Sequence, residues 1–181
     1  MTADKNGVLY LAWNDRPAGN GGPPSNATRI FLSYSRDGTT WSTPKVISGR
    51  LSATTMADRF QPAISADEAG LHAEWYERVP GSPVDQIRTD REDLTLASDD
   101  HGPTSGGERP LSTVSFPVIQ TNPQQDPSGV SDCYMGDYNQ VTVLEGTAFA
   151  TWGDNRNVVT TTNGPENQPD VFFQGWNPRL P

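Results

Sequence analysis

Three arginines, Arg16, Arg78 and Arg156, close three similar stretches of this 181-residue chain. A guanidinium group is a planar fork of N–H donors. Three of them brought to one place would grip a carboxylate through paired, charge-assisted hydrogen bonds. Each also lies one or two residues from an acid, Asp15, Glu77 or Asp154. An ion pair at a strand end is the competing role, and its recurrence favours it: packing repeats, whereas a binding residue need occur only once. A second concentration of polar groups is Asp132-Cys133-Tyr134-Met135-Gly136-Asp137-Tyr138-Asn139, just before an expected strand. Tyr138 has a packing role open to it, at the place Phe60 holds in an earlier repeat. Asp126, Asp132 and Asp137 offer oxygen ligands of the kind calcium takes, but their spacing matches no EF-hand, and solvated loop acids are the favoured reading. Cys133 is the one cysteine, so no internal disulfide forms, and a small inert side chain is the favoured role. No metal or other cofactor is expected.

Elements of one design must carry these groups. Gly7 to Arg16, Gly70 to Arg78 and Gly146 to Arg156 each have a glycine turn, a short apolar strand, a tryptophan (Trp13, Trp75, Trp152), an acid and an arginine. Asp58 to Ser65 reads as a partner strand before the second repeat, and Gly136 to Val143 before the third. The first repeat is expected to lack one. Strands follow each repeat at Thr28 to Tyr34, Asp85 to Thr89 and Asp170 to Phe173. Val114 to Ile119, broken by Pro117, reads as an edge strand, where proline is tolerated. Pro17 to Asn26, Ser98 to Pro110 and Thr160 to Pro169 read as loops.

Composition agrees with short strands and many turns: 33% hydrophobic residues, 17 glycines and 16 prolines. The expected class is all-β. No stretch approaches the roughly 18 apolar residues of a membrane helix. Met1 to Lys5 leads straight into a strand without a secretion leader. The chain thus reads as cytoplasmic, or as one whose start has been removed. The net charge of −9 argues against nucleic acid or an anionic membrane as partner. Capture of an anionic sugar would have to rest on local arginines. Asn26-Ala27-Thr28 fits a glycosylation acceptor, a triplet common by chance.

Between two of the strands stands Ser35-Arg36-Asp37-Gly38-Thr39-Thr40-Trp41. Asp37 is short enough to accept N–H groups of its own loop, and Gly38 takes positive φ without steric cost. Trp41 is expected to restart the strand and face a core. The pattern of Ser35, Asp37, Gly38, Thr40 and Trp41 resembles the Asp-box of bacterial sialidases (neuraminidases) and other β-propellers. The wider order is similar to sialidase-like BNR-repeat proteins: Asp58-Arg59-Phe60-Gln61-Pro62, the Trp-acid-Arg repeats, then Gly136-Asp137-Tyr138.

That resemblance implies a β-propeller of four-stranded antiparallel blades, six in the complete protein, with an extracellular location. About three blades are expected here, over residues 1–50, 51–120 and 121–181. The first repeat would supply strands two to four of a blade, the second all four and the third strands one to three. Such a set cannot close a ring of four to eight blades. The chain therefore reads as the C-terminal half of a larger propeller, or as one completed by another copy. Open edges make it prone to self-association.

The resemblance also implies glycan chemistry. Sialidases pair a tyrosine nucleophile with a glutamate and use an aspartate as acid/base. Tyr134 or Tyr138 would be the nucleophile, with Asp137 or Glu77 beside it, and Arg16, Arg78 and Arg156 would hold the sialic acid carboxylate. The family's Phe/Tyr-Arg-Ile-Pro motif is absent; Thr28-Arg29-Ile30-Phe31 is a partial echo. This chain alone is therefore expected to lack a full active site. A non-catalytic propeller that binds proteins or sugars through its loops is the rival reading, and an inactive structural fragment the third.

Overall fold

A computed structural model describes residues 1–16, 27–48, 57–79, 86–96, 102–117, 138–162 and 164–179. The described residues form twelve strands and no helix. Sheet A contains β1 (Thr2–Ala3), β2 (Leu9–Asp15), β3 (Arg29–Ser35) and β4 (Lys45–Val46), side by side in chain order. Sheet B contains β5 (Asp58–Ala66), β6 (Leu71–Val79), β7 (Gln86–Thr95) and β8 (Thr104–Pro110), with β9 (Phe116–Pro117) also on β7. Sheet C contains β10 (Gln140–Leu144), β11 (Thr147–Thr161) and β12 (Gly164–Trp176). Every pairing is antiparallel.

Short acidic or glycine turns set the registers. In sheet A the Asp4 carboxylate accepts the N–H groups of Asn6 and Val8, at 2.8 and 3.0 Å. Asp67 does the same for Ala69 and Gly70 in sheet B, at 2.7 and 3.0 Å. Glu145 and Gly146 both have positive φ in sheet C, as a two-residue hairpin turn requires. The Asp37 turn closes as its residue types predict. Asp37 Oδ1 accepts the N–H of Thr39 at 2.8 Å and of Thr40 at 2.6 Å, and Gly38 N–H donates to Ser35 Oγ at 2.9 Å. Those backbone hydrogen bonds hold the Asp37 carboxyl well below the usual carboxylate range.

Sheet B lies between the other two. Side chains alternate across a strand, so each face of β6 meets a different neighbour. Trp75, Leu71 and Ala73 pack with Tyr10, Ile30 and Leu32 of sheet A. Tyr76, with Ile87 and Phe116, packs with Ala148, Ala150 and Trp152 of sheet C. A bulge on β5 between Phe60 and Ala63 puts these two residues, three apart, into the second core, while Ile64 on the other face joins the first.

Several expectations are corrected. The first repeat does have an upstream partner, because Thr2 and Ala3 pair with Tyr10 and Leu9. Trp41 neither restarts a strand nor enters a core: it is 37% exposed, and β4 begins at Lys45. Part of the expected loop Ser98 to Pro110 is β8, which hydrogen-bonds to β7 ahead of the shorter β9. The expected loop Thr160 to Pro169 is instead the far end of the β11–β12 hairpin. Gly106 explains part of this misreading. A Cβ there would stand 2.5 Å from the Asp93 carbonyl oxygen, so glycine marks close strand approach rather than a loop. Pro17 to Asn26 lies outside the described residues.

Trp75 is fully buried between sheets A and B, whereas Trp13 is half-buried on the outer face of sheet A. Trp75→Ala is expected to cost about 3–5 kcal/mol in urea denaturation, and Trp13→Ala in the isolated chain clearly less.

Candidate functional site

Antiparallel order puts the ends of β2 and β6 at one edge of the stack with the starts of β3, β5 and β7. The Asp37 turn lies at the opposite edge, beside a cavity of about 280 Å3 lined by Asp4, Tyr10, Tyr34, Arg36 and Glu68. The first edge carries the arginines. Arg16 and Arg78 are exposed there.

Three sheets meet at Gln61. It sits in the β5 bulge with a φ of 55°, a strained conformation for a non-glycine residue. Its N–H donates to Asn14 Oδ1 of sheet A at 3.4 Å, and its carbonyl accepts from Asn139 Nδ2, just before sheet C, at 3.5 Å. Tyr138, next to Asn139, is 88% exposed. The expected packing role for Tyr138 is therefore overturned; Phe60 fills the core against Tyr76 without an equivalent from Tyr138.

Beneath this edge, charges are buried between sheets A and B. Glu77 and Arg59 face each other across β5 and β6, with Arg59 Nη2 2.5 Å from Glu77 Oε2. Arg88, opposite Glu77 on β7, places Nη2 2.7 Å from Glu77 Oε1 and Nε 3.1 Å from Asp90 Oδ1. Arg59 Nε is 3.5 Å from Glu108 Oε1. Arg59 also donates to the Ala57 carbonyl at 3.2 Å, and Arg29 to the same oxygen at 3.0 Å. Burial pushes the Asp90 carboxyl up to about 7, against the pull of Arg88, with Glu77 and Glu108 adding to the rise. Ligand atoms of Glu77, Asp90 and Glu108 lie within 4.8 Å of one another, which is compact enough for a cation. Each of the three already faces a guanidinium group, that of Arg59 or Arg88.

The sequence-predicted residues fall out as follows. Arg156 pairs with Asp154, two positions back in β11, through Nε at 2.8 Å and Nη2, and lies 4.3 Å over the Phe172 ring. Arg16 N–H bonds the Asp15 carboxylate at 2.7 Å. Glu77 does not pair with Arg78, because neighbours on a strand point to opposite faces; it takes Arg59 and Arg88 instead. Glu77 faces sheet A, and sheet C, which Tyr138 precedes, packs on the other face of sheet B. These two candidates therefore do not form a nucleophile–base pair. Tyr134, Asp137, Cys133, Asp126 and Asp132 lie outside the described residues. Sequence reasoning missed Arg59, Arg88, Asp90 and Glu108 as one cluster. The signal was present in Arg59, an arginine beside the first turn of an otherwise core-forming strand.

Two further buried groups sit between sheets B and C. His72 Nδ1 is 2.8 Å from Asp93 Oδ1, and its Nε2 is 3.1 Å from Asp67 Oδ1. Burial alone lowers the imidazole pKa, but these two carboxylates outweigh it and the net shift is upward. Trp176 Nε1–H donates to Asp93 at 3.0 Å, tying β12 to sheet B. Glu74 is fully buried, and its carboxyl oxygens have no hydrogen-bond partner among the described residues. Burial raises its pKa well above the ordinary value.

No protein-family model matches the chain, and no curated protein matches it.

Arg59→Leu removes a buried guanidinium from Glu77 and Glu108 and is expected to cost about 3–5 kcal/mol by urea denaturation. Glu74 makes a pH prediction. Its folded pKa lies above the unfolded value, so its contribution is whole below about pH 4.5 and is lost as pH rises through the folded value. Glu74→Gln should match the parent in denaturation midpoint at pH 4 and exceed it increasingly toward pH 8.

Proposed function

We propose that this chain is a segment of a sialidase-like β-propeller that binds glycans at its Gln61 edge and does not hydrolyse them by itself. The observation that carries the reading is the meeting of three sheets at Gln61, with Asn14 and Asn139 on its backbone. Exposed Arg16, Arg78 and Tyr138 belong to the same edge. Amide, guanidinium and phenol groups are what sugar hydroxyls and a sugar carboxylate need: donors, acceptors and one flat aromatic face. The stacking supports the propeller part. Consecutive sheets pack face to face in chain order, each a meander, as blades do. The Asp37 turn lies at the opposite edge, where an Asp-box stays clear of a ligand.

Binding without turnover follows from the fate of the expected catalytic glutamate. Glu77 is buried, ion-paired to Arg59 and Arg88, and on the face of sheet B away from sheet C, so it is not placed to activate Tyr138.

The test uses a fluorogenic sialoside for turnover and calorimetric titration with a sialylated oligosaccharide for binding. Measurable binding with no fluorescence release is expected. Arg78→Ala and Tyr138→Ala should each weaken binding about tenfold or more, the loss of one charge-assisted or stacking contact. Turnover would install the enzyme reading instead, and absence of binding to any sialylated or neutral glycan would sink the glycan reading.

A further inference from the structure

The outer faces of the three-sheet stack carry the same side-chain pattern as its interior. In sheet C, Trp152 stands opposite Phe172 across β11 and β12, and the rings stack at 6.4 Å. Sheet B covers that pair with Tyr76, Ile87 and Phe116. In sheet A, Trp13 stands opposite Phe31 across β2 and β3, stacked at 5.9 Å, in the equivalent place. It points away from sheet B, since Tyr10 and Ala12 on alternate positions face that core. Trp75 of sheet B is oriented like Trp152, toward the preceding sheet. All three repeat tryptophans thus point the same way along the stack, and the described residues place no sheet against the first. Leu11 and Val46 extend this open strip.

The far face of sheet C is the opposite kind. Phe149 and Phe173 stack there at 5.6 Å, with Phe173 63% and Val171 81% exposed and Leu144 exposed beside them. Phe149 stands three residues before Trp152, the place Tyr10 holds before Trp13 on the face of sheet A that covers Trp75. The open face of sheet C therefore matches the class of face that covers a tryptophan in the stack, and the open face of sheet A presents a tryptophan uncovered.

We propose that the open face of sheet C on one copy of this chain covers the open face of sheet A on a second copy, and that the reciprocal contact closes the two copies into one ring. The contact is head-to-tail, two unlike faces, and such contacts end only by closure. A partner of other chemistry on one face would leave the other exposed, whereas a second copy removes both at once. None of Leu11, Trp13, Phe31, Val46, Leu144, Phe149, Val171 and Phe173 is charged. The net −9 of each copy therefore does not oppose the contact at its centre. Patches of this kind on both ends of a stack of sheets are a liability in water unless covered. The inference rests on the stacked-sheet part of the reading above and not on its glycan part.

The test is size-exclusion chromatography with light scattering on the full chain. A mass twice the 19.7 kDa of one chain is expected. Phe173→Glu on sheet C and Leu11→Glu on sheet A should each give a monomer with an unchanged β-type circular dichroism spectrum. Trp13→Glu is a second variant on the sheet A face. Mixing the Phe173→Glu and Leu11→Glu proteins should restore the doubled mass, because each mixed pair keeps one unaltered contact. A monomeric parent chain, a dimer that survives both substitutions, a mixture that stays monomeric or a ladder of larger species would each overturn the proposal. A dimer that binds no glycan overturns only the glycan reading. A monomer that binds glycan overturns only this one.

Discussion

Trp75 and Tyr76 are neighbours in the chain and belong to different cores. One fills the space toward sheet A and the other the space toward sheet C. Everything else in the stack depends on that alternation, because a sheet apolar on both faces has to be covered twice. A one-residue slip of β6 would exchange the two faces and put His72 and Glu74 against Tyr10 and Leu32. The Asp67 turn, which fixes β6 against β5, guards against that slip with two backbone hydrogen bonds onto one carboxylate.

The same alternation decides where charge is buried. Leu71, Ala73, Trp75 and Glu77 share one face of β6, so an acidic side chain follows directly after a run of core positions. Sheet B accommodates it by placing Arg59 and Arg88 on the strands at either side. The arrangement carries a large desolvation cost and is stable only while all partners are present. Glu74, on the opposite face, has no such partners among the described residues, and burial raises its carboxyl pKa well above the ordinary value. Two glutamates three residues apart thus meet different surroundings because their faces offer different neighbours.

The Gln61 edge combines strain and convergence. A bulge is needed on β5 to bring Phe60 and Ala63, three residues apart, to the same face toward sheet C, and the bulge turns Gln61 to positive φ. Its displaced N–H and carbonyl then become partners for Asn14 and Asn139 from the neighbouring sheets. A packing requirement in one strand thereby produces an exposed polar junction between three sheets.

Residue types and spacing by themselves determined that the chain is all-β, where its repeats fall and how the Asp37 turn closes. These are local properties: glycine where φ is positive, a short carboxylate beside free N–H groups, and alternation along each strand. The Asp154–Arg156 pair belongs with them, since its two residues are only two apart in the chain. Only the tertiary structure decided which acid meets which arginine elsewhere. Arg59, Glu77, Arg88 and Glu108 come from four strands whose pairing no local pattern specifies. The same holds for Tyr138, which was open to a core role until the sheets were placed, and for the short strands β1 and β8, whose existence depends on the partner strand that supplies their hydrogen bonds. Short-range chemistry was legible because it is written within a few residues; the rest required knowing which face of each sheet was covered, and by what.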